Sequence, residues 1–375
     1  MSRFTQAYIS LDALRHNIDT LRSGLRPETR YLAVVKANAY GHGMEQIARC
    51  ALGHGAHMLG VAFAEEGLRL RRAGIQAPIL LLGALEPENA DAVIKNGLIP
   101  TVFDCGTLLH LQRTAKRLNK ICEIHIKADT GMRRIGFPSS SAFAEALDML
   151  PNCPNIAFTG LFTHFATSEQ ADQRFTLEQG ERFSVFAQTA RGRGYKPLLH
   201  AANSGAIINQ PALQVDMVRG GIAMYGYHPA GHAVPGVPLK PVMRLVTRIV
   251  MLKDLMPGEG VSYGLTFTAE RPMRVATLPV GYGDGYHRVL SNRSCVLVRG
   301  RRARQIGTIC MDQMLCDVTD IPDADVGDEV VLIGAQGENC VTADELAALC
   351  GTISYEILLG IDTRVPRVYT DNVLP

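Results

Sequence analysis

The sequence predicts an α/β protein: an N-terminal (β/α)8 barrel of the TIM type followed by a mainly β C-terminal domain. Three observations lead there. From Tyr31 to about Gly226, short apolar runs of β type alternate with stretches of helical periodicity, the pattern of repeated βα units on a parallel sheet. The texture then breaks at HPAGHAVPGVPLKPVM, whose glycines and prolines suit a connection. The length, 375 residues, accommodates a barrel of roughly 250 residues with a smaller domain beside it.

Eight runs supply the barrel strands: LAVV (32–35), MLGVAF (58–63), PILLLG (78–83), IPTVF (99–103), CEIHIKA (122–128), FTGLFTHF (158–165), LLHAANS (198–204) and VDMVRGG (215–221). Helical stretches such as AEEGLRLRRAG, GTLLHLQRTAKRLN and EQGERFSVFAQTARGRG lie between them. Eight such units fit a closed barrel better than an open sheet. Beyond the connection, RLVTRIVMLKDL, RVATLPVG, SCVLVRG, RARQIGTICMD and EVVLIG read as strands bounded by turn residues. One helix is signed near the end: Thr342 and Glu345 form a Thr-x-x-Glu capping box, and Gly351 stands where a C-terminal glycine ends a helix. The early TQAYISL alternates like an edge strand and is expected to pack with the C-terminal domain. The expected division is thus 1–10 for that strand, 11–235 for the barrel and 236–375 for the β domain.

Composition excludes several classes of function. Net charge is +2, from 38 basic and 36 acidic residues mixed along the chain, which leaves no electrostatic footprint for nucleic acid. No apolar run approaches the roughly 18 residues of a membrane span, and the start MSRFTQAYIS lacks the apolar core of a signal peptide. A cytoplasmic protein is expected. Nine cysteines without a Cys-x-x-Cys spacing read as reduced core thiols. His54 and His57 have no third ligand nearby, so no metal site is expected.

In a (β/α)8 barrel the reactive groups stand at the C-terminal ends of the strands. Lys36, Lys127, Asp129, Arg134, His164, Asn203, Ser204 and Arg219 all fall there. For any one of them, the start of solvent is the plainer explanation; the constellation is harder to explain that way. Lys36 directly follows four apolar residues. Loss of solvation lowers a lysine's pKa and frees a neutral amine as nucleophile or base, whereas a lysine snorkelling past the rim would do neither. Tyr40 opens a flexible glycine-containing turn (Gly41, His42, Gly43) from which its phenol can reach a bound anion. In RGGIAMYG, Gly220 and Gly221 bare their backbone N–H groups beside a helix start, a cradle for a phosphate.

These residues carry a resemblance. AVVKANAYGHG, KADTGMRRIGF, THFATSE, HAANSGA, VRGGIAMYG, VSYGLTF, PVGYGDGYHR, GTICMDQMLCDVTD and ISYEIL, in this order, resemble alanine racemase, the barrel-type pyridoxal 5'-phosphate enzyme that interconverts L-alanine and D-alanine, a peptidoglycan precursor. The resemblance implies that Lys36 binds the cofactor covalently and acts as base on one substrate face. It assigns Tyr40, Ser204, Gly221 and Tyr355 to the cofactor phosphate, His164 and Asn203 to the ring, and Arg219 to the pyridine nitrogen. Arg134 and the backbone at Met311 would hold the substrate carboxylate, Tyr282 would stand near the pocket mouth with Asp284, and Tyr263 would be the second base. Lys127 matches a lysine that is carbamylated in many members and pairs with the arginine at the Arg134 position; the plain alternative is an ion pair with Asp129.

Racemisation removes the α-proton from one face and returns one to the other, so two acid/base groups on opposite sides serve it best. Tyrosine ordinarily titrates near 10, and a tyrosine base therefore needs positive charge close by. Because Tyr263 and Met311 lie in the β domain and Lys36 in the barrel, the site must join the two domains. The family does so between subunits of a head-to-tail homodimer. Two departures stand out: Arg133 at the variable position of TGM-x-R, a competitor for the anion of Arg134, and Gly220 where proline is common, which should loosen the phosphate turn. The competing readings are a serine or broad-specificity racemase, a barrel-type decarboxylase, and a noncatalytic cofactor carrier. Tyr263 and the whole second domain speak against the last two.

Overall fold

The computed structural model describes residues 3–371, so residues 1–2 of the first expected segment and 372–375 of the last lie outside the described residues. Eight parallel strands form the barrel: Arg30–Val34, Met58–Val61, Ile79–Leu81, Thr101–Val102, Cys122–Lys127, Ile156–Phe162, Leu198–His200 and Met217–Gly220. The first strand pairs with the last, Leu32 opposite Arg219. A parallel bridge from Leu80 to Ile99 closes the ring.

Most strands end earlier than their apolar runs, and local hydrogen bonding gives the reason. Asn203 does not continue the seventh strand: its side chain accepts the Ala206 N–H and caps the helix Ser204–Asn209. Thr163 and Ala201 give their carbonyls to the Arg219 guanidinium rather than to a ladder. The helices between strands bury one stripe each. Leu11–Ser23, capped by Ser10, turns Ala13, Leu14, Ile18 and Leu21 inward.

The β domain is a long, mostly antiparallel sheet. Gln6–Ser10 lies in it, between Met243–Arg248 (antiparallel) and Arg367–Thr370 (parallel). From Gln6 the chain thus runs from the β domain through the barrel and returns. The helix Ala343–Cys350 has half of the capping box its sequence signs: Thr342 accepts the Glu345 N–H at 3.0 Å, while the Glu345 carboxylate pairs with Arg302 instead, and the helix ends at Gly351 with φ +71°. All nine cysteines are free thiols, but only Cys122, Cys153 and Cys316 are buried and Cys340 is exposed, so they are not core residues as a group. His54 pairs with Asp19, and the His57 ring accepts the Tyr31 N–H. Among the described residues no helix is long and apolar enough to cross a membrane.

Candidate active site

The C-terminal mouth of the barrel opens into a cavity of about 650 Å³, within the range of small-molecule sites. Lys36, Tyr40, Lys127, Arg134, His164, Asn203, Ser204, Arg219, Gly221 and Tyr355 line it. They come from separate strand ends and, for Tyr355, from the β-domain helix Ser354–Gly360.

Lys36, two residues past the first strand, opens an unusual turn. Ala37, Asn38, Ala39 and Tyr40 all have φ between +51° and +55°, a left-handed conformation that costs L-residues about 1–2 kcal/mol each. The glycine-containing turn is therefore not loose but held. His42 Nδ1 bonds to the Ala39 and Tyr40 carbonyls, Arg367 donates to the Gly41 carbonyl at 2.9 Å, and Tyr369 donates to that of His42. Gly41, with φ +83°, has the Leu358 carbonyl oxygen 2.4 Å from where a Cβ would stand, so only glycine fits. Burial, and next the Arg134 charge, hold the Lys36 amine below the usual lysine range.

Arg219 is buried and fully engaged at its ends. Its terminal nitrogens donate to the carbonyls of Thr163, His200 and Ala201 and approach the rings of His164 and His200. Its Nε–H has no protein partner among the described residues, although the side chain lines the cavity. Burial pushes Arg219 down to about 9, which leaves it charged at neutral pH. Burial, then Arg219, holds His164 well below the usual histidine value, so its ring is neutral.

The Gly221 N–H donates to Ser204 Oγ at 2.9 Å. A Cβ on Gly221 would sit 3.2 Å from the Tyr40 hydroxyl and 3.4 Å from that of Ser204, so the missing side chain leaves a polar niche between two hydroxyls. That niche fits the anionic end of a ligand, and the unpartnered Arg219 N–H fits an acceptor such as a ring nitrogen. Pyridoxal 5'-phosphate has both, and Lys36 faces the same space as the amine that would receive its aldehyde.

Lys127 is 3% exposed and makes no ion pair among the described residues. Asp129 instead accepts the N–H groups of Gly131 and Arg133, so the plain Lys127–Asp129 pair does not form. Burial, then Arg134, lowers Lys127 to about 7. Arg133 is exposed and does not line the cavity, so it does not compete with Arg134. Gly220 lies in the last strand rather than in the phosphate turn, and a Cβ there would fall 1.7 Å from the Tyr31 hydroxyl. Its bareness makes room for a buried ring.

Three expected site residues are not brought to this cavity. Tyr263 (72% exposed), Met311 (53%) and Tyr282 (41%) stand on the surface of the β domain. They belong to one region: the Tyr282 and Gly283 N–H groups bond to the Cys310 and Met311 carbonyls, and Thr308 donates to the Tyr263 carbonyl. Asp284 is not at the mouth but buried, ion-paired with Arg3 and Arg364 and accepting the Gly281 N–H. Sequence reasoning missed Glu66, His200, Arg367 and Tyr369. Only Glu66 left a signal, as a carboxylate just past the second strand.

The two halves of the chain match two family models, the alanine racemase N-terminal domain over residues 9–229 and the C-terminal domain over residues 242–369. The alanine racemase of Halothermothrix orenii is 44% identical over 376 residues, spanning 100% of this chain and 98% of that protein. Among solved structures, alanine racemase of Clostridium difficile 630 superposes with a TM-score of 0.95 at 35% identity, over 100% of this chain and 98% of that one. Alanine racemase from Bartonella henselae, solved with covalently bound pyridoxal phosphate, does so with a TM-score of 0.88 at 29% identity, over 98% and 100%. With both domains matched in order and the fold shared from end to end, the chain belongs to the alanine racemase family.

Proposed function

We propose that the protein interconverts L-alanine and D-alanine by a two-base mechanism with pyridoxal 5'-phosphate as cofactor. The observation that carries the reading is the meeting of Lys36, Arg219 and the Tyr40–Ser204–Gly221 niche in one cavity. The full-length relatives named alanine racemase support it.

When bound, the cofactor draws off the electron pair left at the substrate α-carbon once its proton is gone. Lys36 holds the cofactor covalently, and its lowered basicity keeps free amine available to do so. Tyr40, Ser204, Gly221 and Tyr355 would hold the phosphate; Asn203 and His164 would line the ring, and Arg219 would donate to the ring nitrogen. A guanidinium donates hydrogen bonds but keeps its proton, so Arg219 leaves that nitrogen unprotonated and disfavours side reactions of a long-lived carbanion, such as transamination.

Lys36 takes or returns the α-proton on one face, and the partner subunit's Tyr263 serves the other. Arg134 and the backbone of the partner subunit's Met311 hold the carboxylate, with the partner subunit's Tyr282 at the rim. The exposure of these three residues in a single chain supports a head-to-tail homodimer with shared sites. In this reading residues 11–235 form the cofactor-binding barrel, joined at the phosphate by Tyr355; residues 1–10 pack with the β domain, 236–375, which covers the partner's barrel in a cytoplasmic enzyme. Lys127, lowered to about 7 and so partly free amine at neutral pH, is suited to add CO2, and its carbamate would accept from Arg134. An apolar Met311 offers a serine hydroxyl no partner, which favours alanine over serine.

Incubating the protein with L-alanine in deuterated water tests the reading. α-Deuterated D-alanine is expected; its absence from yellow, cofactor-loaded protein overturns it.

A further inference from the structure

We propose that Glu66 is a positioning residue for Lys36, tying the ends of the first two barrel strands together and fixing both the direction of the amine and the charge it faces. The inference rests on the reading of Lys36 as the reactive amine. Glu66 Oε1 accepts the N–H of Ala37, the residue after Lys36, at 2.5 Å. Glu66 Oε2 accepts the N–H of Ala62, the first residue past the second strand, at 2.7 Å, and that of Phe63 at 3.4 Å.

The ordinary role of such a glutamate is to cap its own helix, here Ala64–Arg72. That role occupies Oε2 alone. Oε1 reaches instead to another strand, at the residue where the left-handed run from Ala37 to Tyr40 begins. A strained turn persists only where its surroundings over-determine it, and Arg367 and Tyr369 hold only its far end, at Gly41 and His42. Glu66 holds the near end, next to the amine.

The charges around Lys36 point the same way. Arg134, Lys127 and His164 face it from other strand ends, and each is cationic or neutral. Glu66 is the carboxylate that acts on Lys36 and raises its basicity against burial and Arg134. Glu169 also lines the cavity, but its charge bears on Tyr355.

The test is the pH dependence of Lys36 acetylation by trace acetic anhydride in cofactor-free protein, read by mass spectrometry against an internal amine. Glu66→Gln keeps the size and removes the charge, so the Lys36 midpoint should fall by about one pH unit. An unchanged midpoint in a variant with wild-type thermal stability overturns the proposal, because a mere helix cap would leave the amine unaffected. Glu66→Asp keeps the charge but falls short of Ala37. Its midpoint should stay near wild type while capture of added pyridoxal 5'-phosphate, trapped by borohydride, slows at least severalfold. Capture at the wild-type rate would overturn the positioning role, even if Glu66→Gln fails to fold. A borohydride label on some residue other than Lys36 in the wild type would instead refute the underlying reading.

Discussion

Arg219 donates to His200: Nη1 stands 3.1 Å from His200 Nδ1, and His200 Nε2 in turn stands 2.9 Å from His125 Nδ1. A guanidinium can only donate, so this contact sets the tautomers along the row. His200 accepts at Nδ1 and carries its proton on Nε2; His125 accepts at Nδ1 and carries its proton on Nε2. Both rings must be neutral for the row to form. Burial pushes His125 down to about 3, from an ordinary value near 6.5. Between those values the unfolded chain binds a proton that the folded protein refuses, so stability falls as pH drops through that window. His125→Gln keeps an acceptor for His200 and removes that proton. Urea denaturation at several pH values from 7 to 4 should show a shallower acid slope for the variant, and parallel slopes would contradict the assignment.

Replacing Arg219 by lysine should be damaging despite the retained charge. The guanidinium serves the carbonyls of Thr163, His200 and Ala201 together, a fork that one ammonium cannot reproduce. Each buried acceptor left unpaired costs about 1–3 kcal/mol. Arg219→Lys should therefore lose roughly that much stability at least, and its racemase activity should fall by an order of magnitude or more. Chemical denaturation with steady-state kinetics decides it; a variant of wild-type stability would show that the fork is dispensable.

Gly220 and Tyr31 should behave as a coupled pair. Tyr31 is fully buried, its hydroxyl has no partner among the described residues, and a Cβ on Gly220 would fall 1.7 Å from that oxygen. Tyr31→Phe removes an unsatisfied polar group and should stabilise the protein by about 1 kcal/mol. Gly220→Ala should cost about 1–3 kcal/mol by overpacking, and markedly less in a Tyr31→Leu background. A double-mutant cycle by thermal or urea denaturation measures the coupling; additive effects would mean that the two residues do not compete for space.

Lys127 carries the same pH signature as His125, in a more alkaline window. Its folded value of about 7 lies below the ordinary lysine value near 10.4. The cost of burying the ammonium is thus full below pH 7 and fades as pH rises toward 10. In CO2-free buffer, the stability difference between Lys127→Met and wild type should narrow across that range. Added bicarbonate should stabilise the wild type and not the variant, because a carbamate replaces a repelling cation beside Arg134. A constant difference between the two proteins would sink both statements.

What the sequence made legible follows from how each residue acts. Lys36 could be read because a charge ending an apolar run is visible along one dimension, and Thr342 and Glu345 because a cap is a local bond. Asn203 and Ser204 were assigned to a strand because the apolar run continues into them; their role as a helix start depends on a side chain turning back to Ala206. Glu66, Arg367 and His200 were not legible as functional. Glu66 acts on a residue 29 positions away, and Arg367 on one 326 positions away, and pairings of that span exist only once the barrel and sheet have formed. The buried role of Asp284 was likewise hidden, because the two arginines that neutralise it lie near opposite ends of the chain.

The shared site can be tested without a further structure. Take Lys36→Ala and Tyr263→Phe, each expected to lose nearly all activity, since either change leaves every site of its own homodimer short of one base. If a site uses Lys36 of one subunit and Tyr263 of the other, a mixed dimer has one site with both bases and one with neither. Random exchange of equal amounts makes about half the dimers mixed, so about a quarter of all sites should recover. Unfolding and refolding the two variants together, then assaying alanine racemisation, reads this directly. If Lys36 and Tyr263 acted within one chain, the tyrosine variant's barrel would never meet an intact phenol and mixing would restore nothing. Native mass spectrometry on the same samples, which resolves the mixed dimer by its mass, distinguishes failure to exchange from failure to complement. The exposure of Tyr263 and its absence from the cavity of its own chain favour recovery.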